Sequence, residues 1–308
     1  MAERVLAVDI GGTKVALAVV DATGRVMAER VVPTLQAGAE EIFAPIGGAI
    51  AELVSDWPGE LRIGIGSAGP IDSRNGAVSP VNIGAWRNYP IVERVRDAAR
   101  WASGHDPATV KLIGDGHAIA LGEYWLGAGR DVESMIGMVV STGVGGGAVI
   151  NNELFTGTTG NAVHIGHTSI NFLGELCVCG NRGCVELYAR GPALAATARD
   201  RGLGVADAKE LTQLARDGDP VALEVIDQGM RALAQGIVSA AVYLDVPVVV
   251  LGGGVSKAGA VIFDPLRRHV AEYAVLSYVT DLEVRRAELD NAGLLGAAAL
   301  AHGEVELR

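Results

Sequence analysis

All three cysteines of this 308-residue chain fall in Cys177-Val-Cys179-Gly-Asn-Arg-Gly-Cys184. His167 precedes them in His164-Ile-Gly-His167, and Glu186 follows. A closed tetrahedral zinc site takes four soft or borderline ligands. His167, Cys177, Cys179 and Cys184 supply that number, and such a site is structural because no position stays open. Gly180 and Gly183 let the chain turn back sharply enough to bring Cys179 and Cys184 to one ion. The competing reading is three reduced cysteines buried as small hydrophobes. C-x-C-x4-C spacing with a histidine upstream disfavours that reading, and the odd count disfavours disulfides.

A second kind of chemistry lies in three Gly-rich turns. They read Asp9-Ile-Gly-Gly-Thr-Lys14, Ser141-Thr-Gly-Val-Gly-Gly-Gly147 and Leu251-Gly-Gly-Gly-Val-Ser256. Glycines at strand ends permit positive φ and let backbone N–H groups point at phosphate oxygens. Thr13 adds a hydroxyl and Lys14 a charge, and a carboxylate such as Asp9 can hold hydrated Mg²⁺. The spacing fits neither G-x-x-x-x-G-K-[ST] nor G-x-G-x-x-G, which excludes the P-loop and Rossmann readings. Any one such turn could be a plain hairpin. Three in order argue for phosphate binding.

The elements that must position these turns follow from periodicity. Arg4–Val20 reads as two strands around the first turn, and Arg25–Val32 as a third. Ala39–Trp57 has helical apolar spacing. Leu61–Ser67 is a strand that runs into Ala68-Gly69-Pro70, and 79–88 is a loop carrying Asn82 and Trp86. Tyr89–Ser103 reads as a helix. Val110–Gly114 is a strand that delivers Asp115, and a helix is expected over Gly116–Gly127, with His117 on its solvent face. Ser134–Val140 is a strand entering the second turn, with a return strand over Ala148–Phe155 that turns at Asn151-Asn152. Pro192–Leu244 is mostly helical. Val248–Leu251 is a buried strand, Asp264–Tyr273 a helix, Leu282–Glu288 a strand and Ala292–His302 an Ala- and Leu-rich closing helix. The strand–Gly turn–strand unit occurs twice, near residues 6–20 and 135–150. The repeat predicts two similar α/β domains facing across a cleft. The expected division is 1–117 and 118–291, with a zinc-binding insertion at 164–186 and a closing helix (292–308) packing back on the first domain.

Composition excludes several classes. Hydrophobic residues make 49% of the chain and charged ones 20%, a globular profile. The formal net charge of −11 repels phosphate backbones, so nucleic acid is not an expected partner. No run of 18 apolar residues occurs, so no membrane span is expected. The start of the chain has no signal-like pattern, and a cytoplasmic location is expected.

Asp9–Lys14, Gly66-Ser-Ala-Gly-Pro-Ile-Asp72, Ser141–Gly147, the segment from Gly166-His167 to Glu186, and Leu251–Ser256 together resemble the ROK family of bacterial sugar kinases and related repressors. The likeness spans essentially the whole chain. It implies an actin-like (ribonuclease H-like) ATPase fold, ATP and Mg²⁺ as co-substrates, and a hexose or amino-hexose as phosphoryl acceptor at its 6-hydroxyl. By matched position it implies Asp9, Gly11, Gly12, Thr13 and Lys14 as a first phosphate loop, and Thr142, Gly143 and Gly145 as a second. Gly252, Gly253 and Gly254 match the adenosine-side loop. Asp115 matches the catalytic aspartate. Asn82, Gly69, His164, His167 and Glu186 match sugar-facing positions, and a homodimer is expected.

The chain departs from the family pattern twice. The family usually has Glu at position 164, where this chain has His. It usually has Asn-Asp-Ala-Asn or Asn-Asp-Gly-Asn where this chain has Gly114-Asp115-Gly116-His117. The resemblance thus implies that one sugar-facing carboxylate and one amide are replaced. Glucose, kanosamine (3-amino-3-deoxyglucose) and N-acetylmannosamine all stay open as acceptors. A regulator is disfavoured because the first loop starts at Asp9, ahead of which no winged helix fits. A catalytically inactive sugar-binding protein is disfavoured by Asp115 and the retained loops.

Overall fold

The computed structural model describes residues 4–304 and 306–307. The chain forms two compact units. Unit 1 comprises Met1–Asp131, Gly147–Ala162 and Leu289–Arg308; unit 2 comprises Val132–Gly146 and Val163–Glu288.

In unit 1, β1 (Arg4–Ile10), β2 (Lys14–Asp21) and β3 (Val26–Pro33) form an antiparallel meander. β4 (Arg62–Ser67) and β7 (Thr109–Gly114) extend it in parallel on the far side of β1, giving the order β3-β2-β1-β4-β7. Between them in sequence, β5 (Ile71–Asp72) and β6 (Ala77–Val78) make a small hairpin. Strand side chains alternate faces. Leu6, Val8 and Ile10 therefore join Ile42, Ile46 and Ile50 of α1 (Ala39–Val54) and Val95 of α2 (Ile91–Ser103) in one core. Val5 and Ala7 face the other way, against Leu294, Ala297 and Ala298 of α9 (Ala292–His302). Asp9 has the same parity as Val5 and Ala7, so the pleat delivers its carboxylate to the α9 side.

On that side backbones approach very closely. α3 (Asp115–Leu126) crosses α9, and a Cβ added at Gly296 would lie 1.7 Å from the Ala118 carbonyl oxygen. One added at Gly64 would lie 1.8 Å from that of Ala297. Glycine is required there for space, since neither α3 nor β4 could meet α9 with a methyl between them. Buried Glu123 bridges this layer, accepting from the Ala128 N–H (2.9 Å) and the Leu289 N–H (2.9 Å).

Unit 2 holds β8 (Met135–Val140), the start of β9 (Val144–Ile150), β11 (Val248–Gly252) and β12 (Glu283–Arg286), with β11 parallel to both β8 and β12. Its helices are α4 (Glu186–Ala189), α5 (Gly191–Asp200), α6 (Ala208–Arg216), α7 (Pro220–Leu244) and α8 (Ala260–Tyr273). Asp219 caps α7 by accepting from the Ala222 N–H, and Pro220 starts it, where a missing N–H costs nothing. The last residues of β9 lie in unit 1, where they pair with β10 (Glu153–Phe155); β13 (Glu306–Leu307) runs parallel to β10.

Several expectations need correction. The division expected after residue 117 falls after Asp131, because α3 belongs with α9 in unit 1. The second turn is shorter than expected: β9 begins at Val144, so Gly145 lies in a strand and only 141–143 turn. The return strand does turn at Asn151 and Asn152 as expected, both with positive φ, but it begins at Val144 rather than Ala148. The closing helix ends at His302, with Gly303 left-handed behind it; residues 305 and 308 of the expected 292–308 span lie outside those described, as do residues 1–3. His117, expected in solvent, is buried at 3% exposure.

Candidate active site

The first Gly-rich turn is only Gly11–Thr13, since Asp9 lies in β1 and Lys14 opens β2. It is fixed from both sides. Gly11 N–H donates to the Lys14 carbonyl at 3.0 Å. Thr34, which no sequence signal marked, donates its hydroxyl to the Gly11 carbonyl at 2.9 Å and its N–H to that of Thr13 at 3.0 Å. A Cβ on Gly12 would sit 2.9 Å from the Asn82 Cβ, so the turn and the Asn82 loop touch. That loop is seated by Trp86, fully buried, stacked on Tyr89 at 4.6 Å and donating its indole N–H to the Ala39 carbonyl. The Val81 N–H reaches the Gly69 carbonyl at 3.3 Å. Asp9, the first turn, Gly69 and Asn82 thus form one neighbourhood.

Asp115 opens α3 at the end of β7, and Gly114 rather than Asp115 occupies the capping position. The Asp115 Oδ1 accepts from the Gly116 N–H at 2.7 Å, which orients the carboxylate at the helix's positive end. The Asp9 carboxyl lies against Gly66 and Gly293; a Cβ at Gly293 would stand 2.8 Å from its Oδ2. Burial, followed by the charge of Asp115, pushes Asp9 up to about 6, and Lys14 offsets only part of this. Two carboxylates sharing one field are a site that favours a cation or a proton. His117 Nε2 lies 3.2 Å from the Phe155 carbonyl, and its Nδ1 would be 3.2 Å from a Cβ on Gly114. The two departures at 114 and 117 are therefore physically linked: the imidazole takes room beside the bare glycine.

In unit 2 the second turn is held at three points. Glu186 Oε2 accepts from the Val144 N–H at 2.8 Å, and the Ser141 carbonyl accepts from Gly191 at 2.8 Å. The Val255 N–H donates to the Val140 carbonyl at 3.0 Å. Gly253 has φ +94°, and a Cβ there would lie 2.4 Å from that same carbonyl oxygen, so the Gly252–Gly254 loop abuts the second turn only as glycine. Glu186 therefore has a job that sequence alone did not give it: one of its oxygens braces the hairpin that presents Thr142 and Gly143.

The four expected zinc ligands converge. Cys177 Sγ is 3.7 Å from His167 Nδ1, Cys179 Sγ is 3.6 Å from Cys184 Sγ, and all four donor atoms lie within 4.8 Å of one another. A tetrahedral zinc with Zn–S bonds of ~2.3 Å sets its sulfurs ~3.8 Å apart, so the donor set fits that ion. Gly180 (φ +90°) and Gly183 (φ +59°) make the turns expected of them. Burial pushes the Cys184 thiol up to about 12, with Cys179 and Cys177 adding to the rise. Cys179 goes the other way: hydrogen bonds, first from the Asn181 backbone, hold its thiol below the usual range, so the crowded pair Cys179 and Cys184 splits in acidity. With Nδ1 in the cluster, His167 keeps Nε2 for another contact. His164 is exposed, its ring 6.3 Å from that of His167.

A cavity of about 610 Å³ opens beside Thr142 and Gly254, walled by α5 and α6. Sequence reading found its loop side but not its helical wall, because nothing in α5 or α6 resembles a motif. Among the described residues, no helix is long and apolar enough to cross a membrane.

Comparison with known proteins agrees with this geometry. The family model described as "ROK family" matches residues 5–304. A glucokinase from Thermotoga maritima is 35% identical, with 96% of each chain covered. An N-acetylmannosamine kinase from Yersinia pestis is 36% identical, covering 96% of this chain and 97% of that one. Among solved structures, a ROK family glucokinase from Streptomyces griseus in complex with glucose and AMPPNP superposes with a TM-score of 0.80 at 34% identity, covering 97% of this chain and 99% of that one. Motifs, topology and end-to-end similarity converge: the chain belongs to the ROK family and has its actin-like ATPase fold.

Proposed function

We propose that the protein is an ATP-dependent sugar kinase that phosphorylates the 6-hydroxyl of a hexose or amino-hexose. The observation that carries the reading is the Asp115 carboxylate, oriented at the first turn of α3 and electrostatically coupled to Asp9 at the end of β1. The glucokinase and N-acetylmannosamine kinase relatives support the reaction class.

Phosphoryl transfer asks the protein mainly to position an alcohol and neutralise charge. In this reading Asp115 orients the sugar hydroxyl and takes its proton as the P–O bond forms. Asp9 would hold hydrated Mg²⁺, which would supply charge neutralisation. In unit 1 the N–H groups of Gly12 and Thr13 are the donors offered to phosphate oxygens; in unit 2 the Thr142–Gly143 turn offers its own, and the Gly252–Gly254 loop is the nucleoside-side loop of this reading. Zinc is structural: its four protein ligands fix the segment between His164 and Glu186, which bears on the sugar and on the second turn at once.

The linked pair Gly114 and His117 bears on the choice of acceptor, among which glucose, kanosamine and N-acetylmannosamine stay open. In the family pattern the amide at position 114 serves the sugar's 3- and 4-hydroxyls; here no side chain stands at 114 and an imidazole stands beside it. Losing a hydrogen-bond partner costs about 1–3 kcal/mol, enough to reorder substrates. The test is ADP release across a panel of glucose, mannose, kanosamine, glucosamine, N-acetylglucosamine and N-acetylmannosamine, with Asp115→Asn alongside. Saturable turnover with one of these, lost in the variant, supports the reading. Sugar-independent hydrolysis, or turnover that survives in Asp115→Asn, overturns it.

A further inference from the structure

The first Gly-rich turn is tied down one peptide unit at a time. The unit between Ile10 and Gly11 is held at both ends. The Ile10 carbonyl accepts from the Ala68 N–H at 2.9 Å, and the Gly11 N–H donates to the Lys14 carbonyl at 3.0 Å. The Thr13 carbonyl accepts from the Thr34 N–H at 3.0 Å, which carries the β2–β3 ladder one step past the Lys14–Pro33 pair. These are backbone bonds, and any residue but proline can donate them. The unit between Gly11 and Gly12 differs. Its carbonyl accepts from a side chain, the Thr34 hydroxyl, at 2.9 Å.

That unit is also the easiest in the turn to rotate. A glycine stands on each side of it, so no Cβ opposes a flip. In a trans peptide the C=O and the following N–H point in opposite directions. A Gly11 carbonyl fastened to Thr34 therefore sends the Gly12 N–H to the opposite side of the turn. Flipped, the same unit would present a carbonyl oxygen where the N–H had been, and an anion there would meet the wrong end of the dipole. Thr34 is well placed to prevent this. It is 9% exposed and directly follows Pro33, the last residue of β3. Its N–H bond to Thr13 fixes where the residue stands, and its β-branched side chain is stiff at χ1, which fixes where the hydroxyl points.

We propose that Thr34 is a positioning residue for the phosphoryl donor: its hydroxyl locks the Gly11–Gly12 peptide in the orientation that offers the Gly12 N–H to a phosphate oxygen. The proposal deepens the kinase reading and rests on it for the identity of the anion. Thr34 acts through the turn and touches no substrate. Without the hydroxyl, the locked orientation leaves the Gly11 carbonyl short of a donor, and the flipped one gains population. Donor affinity then falls with the fraction of turns that stay competent. A lost hydrogen-bond partner shifts such an equilibrium by about 5–150-fold, and this part-buried bond belongs near the lower end.

The experiment compares Thr34→Val, which keeps the branched shape and removes the hydroxyl, with Thr34→Ser, which keeps the hydroxyl. Steady-state kinetics with ATP and the best sugar are read beside calorimetric titration with the non-hydrolysable analogue AMPPNP in Mg²⁺. Thr34→Val is expected to raise the KM for ATP and weaken AMPPNP about tenfold while the sugar KM stays within about twofold, and Thr34→Ser to recover most of the loss. Unchanged ATP KM and AMPPNP affinity in Thr34→Val overturn the proposal and leave the kinase reading intact. ATP and sugar KM values that rise together, or a Ser variant as impaired as the Val one, mark a general loosening of unit 1 and also overturn it. A wild type that binds AMPPNP but phosphorylates no sugar overturns the kinase reading, and the affinity comparison still decides the lock. A wild type that binds no AMPPNP overturns both. Should Thr34→Val fail to fold, ¹⁵N-glycine-labelled wild type decides instead: the Gly12 amide resonance is expected to move on adding AMPPNP and Mg²⁺, and an unmoved resonance overturns the proposal.

Discussion

Gly296→Ala tests the tightest approach in unit 1. Alanine in a helix interior is normally worth about 1 kcal/mol over glycine, so propensity alone predicts stabilisation. The tertiary structure predicts the reverse. The new Cβ would start 1.7 Å from the Ala118 carbonyl oxygen and 2.6 Å from its carbon, against an ordinary contact of ~3.5 Å. Those are backbone atoms of α3 and cannot rotate away, so α9 and α3 must separate by well over 1 Å in a fully buried layer. Overpacking of a sound core costs about 1–3 kcal/mol, and a backbone clash belongs at the top of that range. After subtracting the propensity gain, the net loss is about 2 kcal/mol, or roughly a 4–8 °C fall in the thermal midpoint. Gly48→Ala is the matched control. Gly48 lies exposed inside α1, where an added Cβ meets nothing within 4 Å. The same substitution there should raise the midpoint by about 2–4 °C. Thermal unfolding followed by circular dichroism reads both. A Gly296→Ala protein at or above the wild-type midpoint would falsify the close α3–α9 approach, and a destabilised Gly48→Ala protein would remove the basis for comparing them.

Four further outcomes are expected. Asp115→Asn should lower kcat about 10²–10⁴-fold while ADP affinity and the unfolding midpoint stay unchanged, because a positioned base and not a structural cap is removed. Cys184→Ser should lose bound zinc, read by elemental analysis, with a lower midpoint than the wild type; a variant that keeps stoichiometric zinc refutes the ligand set. Glu123→Gln places an amide donor against one of the N–H groups of Ala128 and Leu289 and should cost about 3 kcal/mol in urea unfolding. Asp9 gives a pH signature. Its folded-state value of about 6 lies above the 3.8 of an unperturbed aspartate, so the native state holds the proton more tightly and stability falls as pH rises through that window. The slope for this one group approaches 1.4 kcal/mol per pH unit, and Asp9→Asn should gain on the wild type between pH 4 and 6.5 and hold that gain above it. A gap independent of pH in magnesium-free buffer contradicts the assignment.

Wherever a feature depends on neighbours in sequence, the sequence alone determined it. The cysteine spacing predicted the four converging donors, and Gly180 and Gly183 turn the chain as their lack of a side chain allows. The Gly-rich turns, the apolar strands beside them and the Ala-rich helix over Ala292–His302 were all legible, because pleat, turn and helix have short periods. Tertiary structure decided what depends on residues far apart in the chain. Asp9 is raised by burial against Gly293 and by Asp115, each more than a hundred residues away. His117 is buried because Gly147 leaves room for its backbone and the Phe155 carbonyl meets its ring. Glu186 braces Val144, and α5 and α6 supply a cavity wall that no motif announces. Solvation, charge and steric room are properties of a neighbourhood, and a neighbourhood exists only once the chain has folded.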